Sequence, residues 1–126
     1  MFPSHTRVFF AVQPTDLRRS FDGLTATAHA VLQKDPARGG LFVFLNKRGD
    51  QVRVLFRDRH GWCVLAKRLD AGRFDRKRLG TGTCRETEAN ELIRFLEEIV
   101  PGRARRNEAV RRARALSVVE DSAPPQ

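Results

Sequence analysis

The chain has no tyrosine, one tryptophan, one methionine and two cysteines among its 126 residues. Cys63 and Cys84 cannot form a disulfide framework, and neither belongs to a CxxC pair, so structural zinc and redox-motif chemistry are not expected. No apolar run approaches the roughly 18–20 residues that would span a bilayer. The opening "MFPSHTRVFFAVQPTDLRR" offers only the short patch Val8–Val12, without a charged start, an apolar stretch and a small-residue cleavage site. No secretory signal is therefore expected, and with two free thiols the expected compartment is a reduced cytoplasm without membrane contact. Catalytic motifs are lacking too: there is no GxxxxGK[ST] phosphate loop and no HExxH. His5, His29 and His60 are scattered, which predicts surface or turn positions rather than metal ligands. Neither a metal nor a cofactor is expected.

Acid is the scarcer charge. There are 15 acidic against 24 basic side chains, a net charge of +9, and 20 of the basic residues are Arg. Codon usage in a GC-rich genome would favour Arg over Lys but does not account for the excess of base over acid. Arg makes forked, bidentate contacts with phosphate, so an Arg-rich surface suits nucleic acid. The charge is uneven. Residues 1–81 carry 16 basic and 7 acidic side chains, residues 82–102 carry 2 and 5, and residues 103–126 carry 6 and 3. An acidic segment separates a basic body from a basic tail.

About 40% of the residues are apolar, enough for one modest core. "RVFFAV" at 7–12 predicts a strand that stops before Pro14. Leu17, Phe21, Leu24, Ala28, Val31 and Leu32 recur at helical spacing, with Thr15 as N-cap and Asp16 in the first turn. This predicts a helix over about 16–33, with Gly23 permitting close packing on a sheet. Strands follow at 41–45, 51–57 and 62–69, joined by Asn46–Asp50 and Asp58–Gly61 as an antiparallel meander that the strand at 7–12 can join. "DAGRFDRKRLGTGTC" reads as a surface loop. Thr83–Glu86 has capping-box spacing, which predicts a helix through 86–99 striped by Leu92, Phe95, Leu96 and Ile99. The expected fold is α+β: an antiparallel sheet of three to five strands with a helix on one face and a C-terminal helical segment. The expected division is one domain over 1–101 and a basic, partly helical or disordered tail over 102–126.

Arg48-Gly49-Asp50 spells an adhesion tripeptide, but Gly49 has a sufficient role in a turn that needs positive φ. Asp58, His60 and Cys63 would make a nucleophile site only in the right geometry. The basic residues say more together. Arg53 and Arg57 share a face of one strand, Lys67 and Arg68 end the next, and Arg73, Arg76, Lys77 and Arg78 extend the charge. With Lys47 and Arg48 of the turn, these are the candidate DNA-contacting residues, acting by phosphate neutralisation. The nine Phe and the single Trp lie mostly in core-like runs, which argues against a platform that stacks single-stranded bases.

Three blocks, "TDLRRSFDGL" (15–24), "LFVFLNKRGDQVRVLF" (41–56) and "AKRLDAGRF" (66–74), together resemble the accessory protein of IS-sixty-six-type bacterial insertion sequences, often called TnpB. The RNA-guided nuclease of the same name is a different protein. Asp16, Arg18, Arg19, Asp22, Gly23, Arg48, Gly49, Asp50, Lys67 and Arg68 match its pattern. The resemblance implies a non-catalytic role in DNA transposition, beside a separate transposase that cuts the strands. Two partners follow from it: DNA at the element ends, or the transposase. In the second case an acidic helix (Glu86, Glu88, Glu91, Glu97, Glu98) or the 46–50 turn would be the contact.

Overall fold

The computed structural model describes residues 5–101. The tail of residues 102–126, with the helical segment expected in it, lies outside them. In chain order the elements are β1 (Arg7–Ala11), α1 (Phe21–Ala30), a 3₁₀ turn (Pro36–Arg38), β2 (Leu41–Leu45), β3 (Gln51–Arg57), β4 (Trp62–Arg68), β5 (Arg73–Phe74), a second 3₁₀ turn (Arg76–Leu79), β6 (Cys84–Glu88), α2 (Ala89–Glu97) and β7 (Ile99–Val100).

Five strands form one sheet in the order β4-β3-β2-β1-β6, and β5 pairs with β7 in a separate two-residue ribbon. The expected meander is present: β2–β3 and β3–β4 are antiparallel. β1 joins it parallel to β2, Val8 opposite Leu41 and Phe10 opposite Val43, so the sheet is mixed. Parallel neighbours need a crossover, and α1 lies within the connection between them. The α+β class holds with this topology.

Period-two alternation sorts side chains onto two faces. Phe9, Ala11, Phe42, Phe44 and Leu55 meet Leu24, Ala28 and Leu32 on the α1 side. Val8, Phe10, Leu41, Val43, Leu45, Val52 and Val54 face the other way, against Leu92 and Phe95 of α2. All five residues of β2 are buried, as befits a central strand covered on both sides. A helix therefore packs on each face, where the sequence predicted one.

Three expectations need correction. First, α1 begins at Phe21, not Asp16. The Asp16 carboxylate accepts the Arg18 backbone N–H at 3.0 Å, and the Thr15 N–H is drawn to the Leu45 carbonyl at 2.9 Å. Both contacts hold the chain in a turn before Ser20, the extended residue that precedes the helix. Gly23 serves Arg19 rather than the sheet, since a Cβ there would sit 2.8 Å from the Arg19 Cβ.

Second, residues 84–88 are a strand. They pair antiparallel with all of β1, from Arg7 opposite Glu88 to Ala11 opposite Cys84. The backbone groups on that side of β1 require partners, and this need overrides the helix-forming character of Arg85, Glu86 and Glu88. Thr83 caps nothing; its carbonyl accepts the Val12 N–H at 3.0 Å. Third, the 70–83 stretch is not only a surface loop. Phe74 and Leu79 are fully buried in the α2-side core.

Candidate nucleic-acid interface

The 46–50 turn is built from its own side chains. The Asn46 Nδ2 donates to the Asp50 Oδ1 at 2.7 Å, and the Asn46 Oδ1 accepts the Gln51 N–H at 3.1 Å. Gly49 is buried with φ 79°, a conformation that favours glycine. Asp50 is thus a turn staple, and the Arg48-Gly49-Asp50 tripeptide is turn chemistry.

The neighbouring chain holds the turn from both sides. Leu69 N–H donates to the Asp50 carbonyl and Phe74 N–H to the Gly49 carbonyl, each at 2.8 Å. The Arg76 guanidinium donates to the Asn46 and Lys47 carbonyls at 2.8 and 3.0 Å. On the opposite side Thr15 is bonded to Leu45. The three blocks at 15–24, 41–56 and 66–74 therefore converge on one turn.

Between that turn and the 14–18 segment lies a cleft of about 600 Å³. Its cations are Arg18, Lys47, Arg48 and Arg53; Asn46, Gln51 and Thr15 add hydrogen-bonding groups, and Pro14 and Leu17 add apolar wall. The one carboxylate in the lining, Asp16, grips the Arg18 guanidinium through both oxygens, at 3.0 and 2.9 Å. That side-chain bond, then the Arg18 backbone N–H, lowers the Asp16 pKa from 3.8 to about 2. A depressed carboxylate favours the native state above its unfolded pKa and loses that contribution as pH falls through the folded one. The Asp16–Arg18 link is thus expected to persist well below pH 4. A carboxyl-detected NMR titration should place the Asp16 midpoint near 2 and return it towards 3.8 in Arg18→Ala. A midpoint unchanged by that substitution would contradict the assignment.

Beyond the cleft the cations divide. Arg53 and Arg57 alternate onto the α1-side face of β3, beside Leu55. Their Cα atoms are about 13 Å apart along an extended strand. Arg68 pairs with Gln51 and shares that face. Arg57 lies over the Trp62 ring at 5.2 Å. Lys67 pairs with Val52 and points to the opposite face, where its ammonium donates to the Leu96 carbonyl at 2.7 Å and holds the last turn of α2. Arg53, Arg57, Lys67 and Arg68 therefore do not form one patch.

Two further candidates are tied into the fold. Arg76 holds the turn as described. Arg78 is paired with Glu91 at 3.0 Å and with Glu98, and the Glu91 bond leads in raising its pKa. Arg73 and Lys77 are not bound in this way: Arg73 is exposed with its Cβ near Gly49, and the Lys77 N–H sits on the Asp75 carboxylate. Among the motif positions, Arg19 reaches the Thr27 hydroxyl at 3.4 Å, and Asp22 is exposed in the first turn of α1.

Asp58, His60 and Cys63 do come together, but as a stapled turn. The Asp58 carboxylate accepts the backbone N–H groups of His60 and Gly61, both at 2.8 Å, and the Cys63 thiol at 3.5 Å. Burial, then the bond to Asp58, pushes the thiol pKa up, the reverse of what activates a nucleophile. Among the described residues no group of His, Cys, Asp and Glu could hold a metal ion, and no helix is long and apolar enough to cross a membrane.

Sequence reading places Arg18 among the motif positions rather than the DNA candidates, and it does not foresee the Pro14–Leu17 wall. The Thr15–Leu45 bond that creates the cleft joins residues distant in sequence and leaves no local signal.

The sequence model of the family described as "IS66 Orf2 like protein" matches residues 6–105. Two proteins of Sinorhizobium fredii are similar, both carrying the name "Uncharacterized protein". The first, y4hO, is 41% identical over 76 residues, 59% of this chain and 66% of its own. The second, y4jC, is 40% identical over 68 residues, 54% of this chain and 58% of its own. The chain thus matches less than two thirds of the length of either. No solved structure matches it.

Proposed function

The chain belongs to the IS66 Orf2 like protein family, and from that premise we propose that it is a non-catalytic accessory factor in DNA transposition that binds the DNA backbone. The observation that carries the reading is the cleft: four cations, Arg18, Lys47, Arg48 and Arg53, converge where the three blocks meet. Arg57 and Arg68 continue the charge along the same face of β3 and β4. Guanidinium and ammonium groups so placed neutralise phosphates and contact no base edge by necessity, so the binding is largely independent of sequence. The catalytic step of transposition falls to a separate transposase.

The alternative, an adaptor that touches the transposase through acidic residues, has weaker support. Glu86 and Glu88 lie on β6 rather than on a helix. Glu86 is 3.5 Å from Arg7, and Glu91 and Glu98 are both engaged by Arg78.

The test is a salt titration of binding to element-end duplex and to unrelated duplex. Affinity should fall linearly on logarithmic axes, with a slope of about −4.5 to −5.4 for five or six phosphate contacts at roughly 0.9 each. The slope should be the same for both duplexes. Absence of binding to either at low salt would overturn the proposal.

A further inference from the structure

β4 is an edge strand of seven residues, and among the described residues nothing pairs with its outer side. Its hydrogen-bonding phase can be read from the ladder ends. Leu69 N–H donates to the Asp50 carbonyl, and Asp58 N–H donates to the Gly61 carbonyl. Both pairs continue the β3–β4 register, in which Gln51 faces Arg68 and Arg57 faces Trp62. Odd-numbered residues of β4 therefore turn their backbone groups inward to β3. Trp62, Val64, Ala66 and Arg68 turn theirs outward, and an open row of donors and acceptors on an edge is a template for another strand.

We propose that this edge pairs antiparallel with β4 of a second copy, in the register centred on Leu65. That register opposes Trp62 to the partner's Arg68 and Val64 to the partner's Ala66. It is the only one that satisfies all four outward residues of both strands. Leu65 meets its own counterpart as a non-hydrogen-bonded pair, the closer type, with Cα atoms about 4.5 Å apart. Leu65 is a large apolar side chain left 50% exposed in the isolated chain.

The strand ends also favour a second copy in this orientation. Lys67 and Arg68 mark one end of β4; the Trp62 ring marks the other, where the adjoining turn carries Asp58 between Arg57 and Arg59. Antiparallel pairing lays Arg68 against the partner's indole, whereas parallel pairing would oppose Lys67 and Arg68 to their own counterparts. Trp62 already carries one guanidinium, from Arg57, and the partner's Arg68 would approach the same ring. The other sheet edge, β6, lacks this self-complementarity. Centring two copies on Glu86, the middle residue of Cys84–Glu88, opposes two carboxylates, which is destabilising.

An isologous pair about this axis closes as a dimer. The two-fold runs perpendicular to the sheet, so Arg53, Arg57 and Arg68 of both copies face the same side. Only the use of that shared face for DNA depends on the DNA-binding reading; the pairing itself does not.

Analytical ultracentrifugation of the full chain without DNA tests the pairing. The expected result is a dimer. Ala66→Pro removes one outward donor and leaves the β3 ladder intact, so it should sediment as a monomer with unchanged circular dichroism. Leu65→Asp, which sets two carboxylates on the axis, should do the same through a different change. A monomeric wild type at every accessible concentration would assign the edge to another occupant and overturn the proposal. So would a dimer that survives both substitutions, or a mass that climbs without limit, as a head-to-tail β4–β6 chain would produce.

Discussion

Phe95→Ala should destabilise the protein by about 3–5 kcal/mol, the usual range for emptying a buried Phe site. Phe95 is fully buried, with its ring 5.3 Å from Phe10 and 5.2 Å from Phe74. It ties α2 to β1 and to the segment before the second 3₁₀ turn. Each aromatic pair is worth roughly 0.5–1.5 kcal/mol beyond the buried area, and both are lost with the ring. A domain of this size has about 5–15 kcal/mol in total, so the loss is a large fraction of it. With a urea dependence of about 1–3 kcal/mol per molar, the midpoint should fall by about 2 M. Ile93, on the same helix but 54% exposed, is the internal control, and its replacement by Ala should cost about 0.5 kcal/mol or less. Equal losses at the two positions would mean that α2 does not seat on the sheet through Phe95.

The same helix shows where sequence reading works and where it stops. The stripe Leu92, Phe95 and Leu96 was legible, because burial on one helix face imposes its own period; Ile99, expected on the same stripe, lies beyond the helix end at Glu97 and pairs with Phe74 in the small ribbon. The start of the helix was not legible. Glu and Arg are good helix formers, and only β1, far away in the chain, makes residues 84–88 a strand. The meander was legible almost to the residue: β2 and β3 match the expected bounds and β4 ends one residue early. Turn chemistry at Asn46–Asp50 and Asp58–Gly61 is local, so the sequence reports it. Phe74 and Leu79 were hidden by their Arg-rich surroundings, since two isolated apolar residues carry no period.

For the candidate site, residue types were legible but their assembly was not. One part could have been read: Lys67 and Arg68 are adjacent in a strand, so they cannot share a face. The roles of Arg76 and Arg78 could not, because their partners, the 46–47 carbonyls and the Glu91 and Glu98 carboxylates, come from other elements. Lys67, Arg76 and Arg78 are thus bound into the fold, and the cleft adds Arg18 instead.

This redistribution sharpens what should happen when charge is removed. Replacing Arg18, Lys47, Arg48 and Arg53 together by Ala should make the salt dependence of DNA binding shallower by about 3–4, at roughly 0.9 per phosphate contact. At about 0.1 M salt a slope of 0.9 corresponds to roughly eightfold per contact, so the affinity should fall by about three and a half orders of magnitude. The loss should be the same on element-end and unrelated DNA, because phosphate contacts carry no sequence information. The fold should survive, since Lys47 and Arg48 are exposed at the tip and the Arg18 guanidinium is held by the exposed Asp16. The four need not contribute equally. Arg18 is already paired with the Asp16 carboxylate. Its single substitution should matter less than that of Arg53, whose guanidinium reaches the neighbouring Val52 carbonyl at 3.3 Å. Arg94 is exposed on α2, which covers the opposite sheet face, so Arg94→Ala should leave the slope unchanged. If the quadruple variant keeps the wild-type slope while its circular dichroism is intact, the cleft is not where DNA binds. A change equal to that of Arg94→Ala would lead to the same conclusion, because it would make the cleft cations no different from any others on the surface.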